Sequence, residues 1–303
     1  MACAADRSFS WEPAHYAHLG PLNNGGHPFV DGLLGPIARS AEAKEALVVD
    51  VGANRGKVAL LLARAFPKAP LHLFDCVSEH TEYLRGTLFA ADRWHGRVQV
   101  HHAVVSDKPG ETVPIKGPPA GWMADPQRRA SLQTAGLLGG PFSWGRRQSP
   151  AALLEKGTHV LERVVSTTLD AQFGVGRRIA FLKIDAEGVD GRVLRGAHGL
   201  LHKRQVLAVY WESFPQQQQQ LNDSLASDVE WLRGRGYRSF LVGKSKLLPL
   251  TPLCRTSVVF ASSQVMNAIA FADVELERQV LRSYKALTKP RDLRLASGIE
   301  KAA

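Results

Sequence analysis

Cysteine is scarce in this chain: three residues, Cys3, Cys76 and Cys254, in 303. They are odd in number, widely separated and without a C-x-x-C pair. That excludes a disulfide framework or zinc knuckle and points to a reducing compartment. No apolar run approaches the roughly 18 residues a membrane span needs. The opening MACAADRSFSWEPAHY carries Asp6 and Glu12 in place of a basic patch and an apolar run, unlike a secretory leader. A cytoplasmic protein with neither signal peptide nor membrane span is the expectation. Hydrophobic residues at 45% and charged residues at 22% exclude collagen-like and wholly disordered classes.

Acidic residues are in the minority, 28 against 38 Lys plus Arg, for a formal charge of +10. The excess is concentrated: residues 111–180 and 281–303 each carry a net +4. Such a surface either steers an anionic partner or is simply a solvated basic loop and tail.

Between about residues 46 and 265, short apolar runs alternate with amphipathic stretches. ALVVDVG, LHLFD, RVQVHHAVVSD, RIAFLKIDAEG, VLAVYWES, YRSFLVG and TSVVFAS read as strands. KVALLLARAF, SEHTEYLRGTLFAADRW with Ser78 as its cap, VDGRVLRGAHGLL and LNDSLASDVEWLRGRG read as helices. After the third strand a DKPG turn predicts a hairpin with ETVPI. This rhythm predicts an α/β fold, a mainly parallel Rossmann-like sheet between helical layers, with an antiparallel edge where the last two strands lack a helix. Three segments fall outside it. Residues 1–26 read as an irregular arm, and residues 114–158, within a domain spanning 27–265, as a long basic Gly/Pro-rich insertion or lid. Residues 266–303 read as a terminal helix and basic tail. The Gln216–Gln220 run reads as a solvated loop.

The strongest local pattern is Asp50-Val-Gly52-Ala53-Asn54-Arg-Gly56, where a strand meets a helix. It lacks the dinucleotide fingerprint G-x-G-x-x-G, which argues against a nicotinamide dehydrogenase. Instead, Asp50 is placed for an ammonium and the helix end for a carboxylate. Asp75 closes the second strand, where an acid meets ribose hydroxyls. An amino-acid end at one turn and a ribose at the next describe S-adenosyl-L-methionine. In FLKIDAEG, an extended chain puts Lys183, Asp185 and Glu187 on one side. Asp185 is placed to orient a hydroxyl, accept its proton or hold a cation. Lys183 serves there or pairs with Asp185 or Glu212, and Glu187-Gly188 meets substrate or caps the next helix. Glu212 faces either the pocket or a structural partner. His101 and His102 point to opposite strand faces, and no metal site is expected of them. Arg128-Arg-Ala-Ser131 matches a basophilic kinase site, a pattern that arises often by chance.

VVDVGANRGKVALLLA, the Ala103–Gly110 turn, Thr168-Leu-Asp170 and Lys183-Ile-Asp185-Ala-Glu187-Gly188 occur in this order. Together they resemble the FkbM family of S-adenosylmethionine-dependent methyltransferases over roughly residues 45–265. The resemblance implies a seven-stranded, class I-like sheet in a three-layer sandwich, and methyl transfer to a small-molecule or sugar hydroxyl. It implies a cofactor held by Asp50, Gly52, Ala53, Asn54, Gly56 and Asp75, with Ala103 and Val104 beside the adenine, and catalysis by Asp185, Glu187 and Lys183. Phe74-Asp75-Cys76 departs from the Glu-Pro common at that place. Alternatives are a nucleic-acid methyltransferase using the basic surface with Trp122 and Trp144, or a cofactor-binding module without catalysis.

Overall fold

The computed structural model describes residues 28–94, 96–117, 159–174, 176–243, 247–250 and 265–288. The N-terminal arm, TSVVFAS, the tail past residue 288 and nearly all of the 114–158 insertion, with Trp122, Ser131 and Trp144, lie outside them.

The sheet grows from short, wholly buried strands. In β1 (Leu47–Val51) and β7 (Ile179–Ile184) every residue is buried, Asp50 and Lys183 included, as for parallel strands covered on both faces. With β2 (Leu71–Asp75), β3 (Val98–His102), β8 (Val206–Ser213), β9 (Arg238–Val242), β10 (Leu247–Pro249) and β11 (Met266–Phe271) they form one sheet of order β10-β9-β11-β8-β7-β1-β2-β3. Neighbours from β3 to β8 pair in parallel, while β11 runs antiparallel to both β8 and β9, and β10 antiparallel to β9.

Two helical layers cover it. α1 (Gly35–Arg39), α2 (Lys57–Ala65), α3 (Ser78–Tyr83) and α9 (Val274–Thr288) lie over the face carrying Val48, Phe181, Tyr210 and Phe271. α4 (Leu169–Phe173), α5 (Asp190–Arg195), α6 (His198–His202) and α8 (Leu225–Arg233) lie over the face carrying Val49, Leu182, Trp211 and Ala270. α2 buries Val58, Ala59, Leu62 and Ala63, one stripe at helical spacing. Ser224 caps α8 in a reciprocal pair with Ser227. The expected α/β sandwich is therefore present, with eight strands in its main sheet rather than seven.

Four local expectations change. β11 lies inside the sheet, so the sheet continues past residue 265 into the stretch assigned to the terminal segment. ETVPI belongs to β5 (Thr112–Gly117), which pairs antiparallel with β6 (His159–Thr167) rather than with the third strand. Together with β4 (Val104–Val105) these form a separate three-stranded sheet of order β4-β6-β5. The cap position of α3 is Val77, and the Ser78 amide instead donates to Glu162 Oε1 at 2.9 Å. The glutamine run is helical, α7 (Pro215–Gln220). Its Gln218 is buried, accepting from Ser213 Oγ at 2.7 Å and donating to Asp228 at 3.3 Å.

Candidate active site

The carboxyl ends of β1, β2 and β7 open into one cleft of about 710 Å³, counting the space open to solvent at its mouth. Its walls are Phe74, Val77, Ala103, Val104, Val105 and Val189; its polar atoms come chiefly from Asn54, Asp75, His80, Asp185 and Glu187.

The first turn is shaped by its own packing. Gly52 has φ +75°, and a Cβ there would lie 1.9 Å from the Asp185 carbonyl oxygen, so only glycine lets β1 pass β7 this closely. The amides of the turn are engaged. Gly52 and Ala53 donate to the Phe74 carbonyl, Gly56 to the Ala53 carbonyl, Arg55 to Asn54 Oδ1, and Asn54 to Asp75 Oδ2 at 2.7 Å. These bonds fix the shape of the turn that leads into α2.

Asp75 is the hub of the second strand end. Besides the Asn54 amide it accepts the Val77 amide on Oδ1 at 2.9 Å, and His80 Nδ1 lies 3.1 Å from the same oxygen. These bonds fasten the turn after β1 to the turn after β2. Cys76 also lines the cleft, and burial pushes its thiol up to about 12, which leaves it protonated and unreactive.

Asp50 does not reach the cleft. It faces Lys183, its direct partner across the β1–β7 register, with Nζ 2.9 Å from Oδ1. The same ammonium donates to the Gly52 carbonyl at 2.7 Å and lies 3.5 Å from Asp185 Oδ2. Burial opposes the charge on Lys183, but Asp50 and then Asp185 outweigh it and hold the ammonium above the ordinary lysine range. Lys183, expected at the reacting centre, is instead 2% exposed and sits beneath the cleft floor.

β7 ends at Ile184, so Asp185 and Glu187 are not successive strand positions. Glu187 takes a left-handed conformation, φ +54°, a strained state for a residue with a side chain. Asp190 enforces it: buried in the first turn of α5, it accepts the Ala186 amide at 3.3 Å and the Gly188 amide at 3.1 Å. Gly188 is closed over by Gln217 of α7, 2.4 Å from where a Cβ would sit. Glu187 thus does not cap the next helix; it lines the cleft. Burial first, then Asp185 and Asp190, pushes its carboxyl up to about 8. Burial and Asp185 push Asp190 up to about 7 against the backbone amides of Ala186, Gly188 and Asp190 itself. Glu212, half-buried near Asp185, Asp190 and Glu187, is held well above the usual carboxylate range by desolvation and then by those acids and does not line the cleft.

Of the residues singled out in the sequence, the cleft brings together Gly52, Asn54, Asp75, Ala103, Val104, Asp185 and Glu187, and leaves out Asp50, Ala53, Gly56 and Lys183. It adds His80, which no motif marked, and its support adds Asp190, whose only signal was an acid two residues past a glycine. The other motif residues build the frame. Thr168 caps α4 by accepting the Ala171 amide, and Asp170 accepts the Gly199 and Leu200 amides at the start of α6. His101 stacks on Phe74 at 4.3 Å, while His102 meets Glu162 at 3.1 Å on the opposite strand face. Among the described residues no group of three or more His, Cys, Asp or Glu is arranged to hold a metal ion.

The chain belongs to the methyltransferase FkbM domain family, whose model matches residues 50–239. Compared by sequence with curated proteins, it matches none. Among solved structures it is similar to the methyltransferase FkbM from Methylobacillus flagellatus KT, at 11% identity and a TM-score of 0.45, over 78% of this chain and 48% of that one. The chain thus spans about half the length of that protein. It is also similar to precorrin-6y C5,15-methyltransferase from Geobacter metallireducens GS-15, at 11% identity and a TM-score of 0.35, over 76% of this chain and 81% of that one. A third likeness is to the hMettl16 catalytic domain in complex with the MAT2A 3′UTR hairpin 6, at 12% identity and a TM-score of 0.32, over 79% and 68%.

Proposed function

We propose that the protein transfers a methyl group from S-adenosyl-L-methionine to a hydroxyl oxygen of a small molecule or sugar. One observation carries this reading. The described cleft lining contains three acidic side chains, the carboxylates Asp75 and Asp185 and the proton-holding Glu187, and neither Lys nor Arg. Such a lining suits a ligand bearing a sulfonium and an ammonium and repels a pyrophosphate.

The residues fit that cofactor. Asp75 holds two backbone amides, and a carboxylate has about four acceptor positions, so it retains capacity for ribose hydroxyls. Phe74, Val77 and Ala103–Val105 offer an apolar slot for a flat base. Asp185 is the acid nearest the cationic end, in the place expected of Asp50, while Asp50 and Lys183 set the strand ends beneath it. When bound, the cofactor supplies an electrophilic methyl for in-line displacement. The chain supplies position and a proton acceptor: Glu187, at about 8, is matched to a proton leaving a hydroxyl near neutral pH, an effect worth about 10²–10⁴-fold. Excluding cations from the lining also disfavours a phosphorylated acceptor.

Calorimetric titration with S-adenosylhomocysteine, followed by transfer of label from a methyl-labelled donor to a panel of neutral polyols and sugars, tests this. Saturable binding with label on oxygen is expected. Binding of NAD in its place, or label only on phosphorylated acceptors, overturns it.

A further inference from the structure

The edge of the sheet opposite the cleft gathers exposed cations, with the acids Glu45 before β1 and Asp273 and Glu275 after β11 to either side of them. The loops entering β7 and β8 present Arg177-Arg178 and Lys203-Arg204, all four exposed. They are bound to each other: the Gly176 amide donates to Gln205 Oε1 at 3.2 Å and the Ile179 amide to the Gln205 carbonyl at 2.9 Å. Adjacent strands lie about 4.8 Å apart, so the two dipeptides sit side by side. The row extends toward β9, where the Arg204 side chain lies 3.7 Å from where Gly236 would carry a Cβ. Arg235 is in that same loop, stacked over Trp231 with its guanidinium 3.5 Å from the ring centre.

None of the four exposed cations pairs with a carboxylate among the described residues. Like charges so placed repel one another and weaken the folded state unless something answers them. The backbone adds a second sign. Arg204 ends α6 in the left-handed conformation, φ +54°, at a position where glycine is the unstrained choice. A side chain kept there at such a cost has a use for its charge.

We infer that this basal edge binds the phosphodiester backbone of a nucleic-acid strand, as a partner of the protein and away from its methyl-transfer cleft. Three of the four cations are arginines, whose planar fork matches phosphate oxygens, and they stand on two adjoining loops. A membrane surface fits less well. Of the exposed large apolar residues among those described, Val160, Leu161 and Val165 belong to β6 and Val274 alone, just past β11, lies near this edge, too little apolar surface to anchor it in lipid.

The test is fluorescence anisotropy with a labelled 20-nucleotide oligo(U) on the full chain, between 50 and 200 mM NaCl. Four phosphate contacts predict log Kd rising with log salt at a slope of about 3, or roughly 50-fold weaker binding across that range. The double variants R177Q/R178Q and K203Q/R204Q are each expected to lower the slope by about 1.4, and Arg204→Gly by about 0.7. Arg204→Gly also relieves the backbone, so its lost affinity accompanies an equal or higher Tm. Absence of oligonucleotide binding by the wild type overturns the inference. So do unchanged slopes in all three variants, or binding to vesicles of phosphatidylserine but not to the oligonucleotide. S-adenosylhomocysteine titration of the same proteins keeps the two questions apart. Its failure in the wild type counts against the cleft reading alone, and its retention in the variants shows that they are folded.

Discussion

Lys183 Nζ and Asp50 Oδ1 lie 2.9 Å apart at the middle of the sheet, both side chains at or below 2% exposure. Removing one partner leaves a charge in an apolar interior, a loss of about 3–5 kcal/mol. Lys183→Met is therefore expected to lower stability in urea by that amount, and the double variant D50N/K183M to recover part of it. A variant as stable as wild type means the pair is not ionised.

Glu187 ties stability to pH in an unusual direction. Its folded value of about 8 lies above the ordinary glutamate value of 4.5, so the folded protein holds a proton that the unfolded chain has released. Stability then falls as pH rises between those values and levels off above about 8. Asp190, at about 7, adds to the fall in its lower part. Glu187→Gln should flatten the upper part of the curve, on the order of 1–2 kcal/mol allowing for contact with solvent, as read from thermal unfolding between pH 5 and 9.

The proton-acceptor role proposed for Glu187 predicts a pH dependence of turnover. With Glu187 as proton acceptor, kcat rises with pH through about 8 and then stays level. Glu187→Gln should lower kcat by about 10²–10⁴-fold and abolish that limb, leaving S-adenosylhomocysteine affinity within a few-fold. Loss of affinity with an unchanged limb assigns Glu187 to binding instead.

Asp75 and His80 are separable. Asp75→Asn keeps an acceptor for one backbone amide but loses the charge and one oxygen. A tenfold to hundredfold rise in the S-adenosylhomocysteine Kd is expected, corresponding to about 1.4–2.8 kcal/mol. His80→Ala leaves the carboxylate and both amide bonds in place and should cost less than tenfold. Equal effects from the two place the imidazole against the ligand.

Gly52→Ala puts a methyl 1.9 Å from the Asp185 carbonyl oxygen at φ +75°. Backbone, not a flexible side chain, stands in the way, so a loss above about 4 kcal/mol is expected. Circular dichroism melting checks it; a Tm within a few degrees of wild type shows that β1 and β7 separate easily.

The order of strands and helices was legible where burial is uniform. β1, β7 and β8 read directly because strands covered on both faces carry nearly continuous apolar runs, interrupted within β1 and β7 by Asp50 and Lys183. β6 escaped because Val160, Leu161 and Val165 face solvent, so its sequence lacks a single apolar side. β11 escaped because MNAIAF is short and alanine-rich, beside the more β-branched TSVVFAS. At the cleft, Asp75, Asp185 and Glu187 were legible from their places at strand ends. The true partner of Asp50 was not, since spacing along one strand does not say whether a carboxylate turns to a ligand or to a neighbouring strand. Asp190 acts through two amides of a turn, and a three-dimensional bond of that kind leaves no pattern in the sequence. Gln218 was hidden among four identical neighbours.

The position of β11 has a consequence for biosynthesis. Among the described strands of the main sheet it is the latest to leave the ribosome, yet it occupies an inner place, with β8 on one side and β9 on the other. Until residue 271 has emerged, the β9–β10 hairpin has nothing to dock on and β8 presents a bare row of amides and carbonyls. Nascent chains caught in that interval would be the form most prone to stick to one another, and the form a chaperone has most reason to shield.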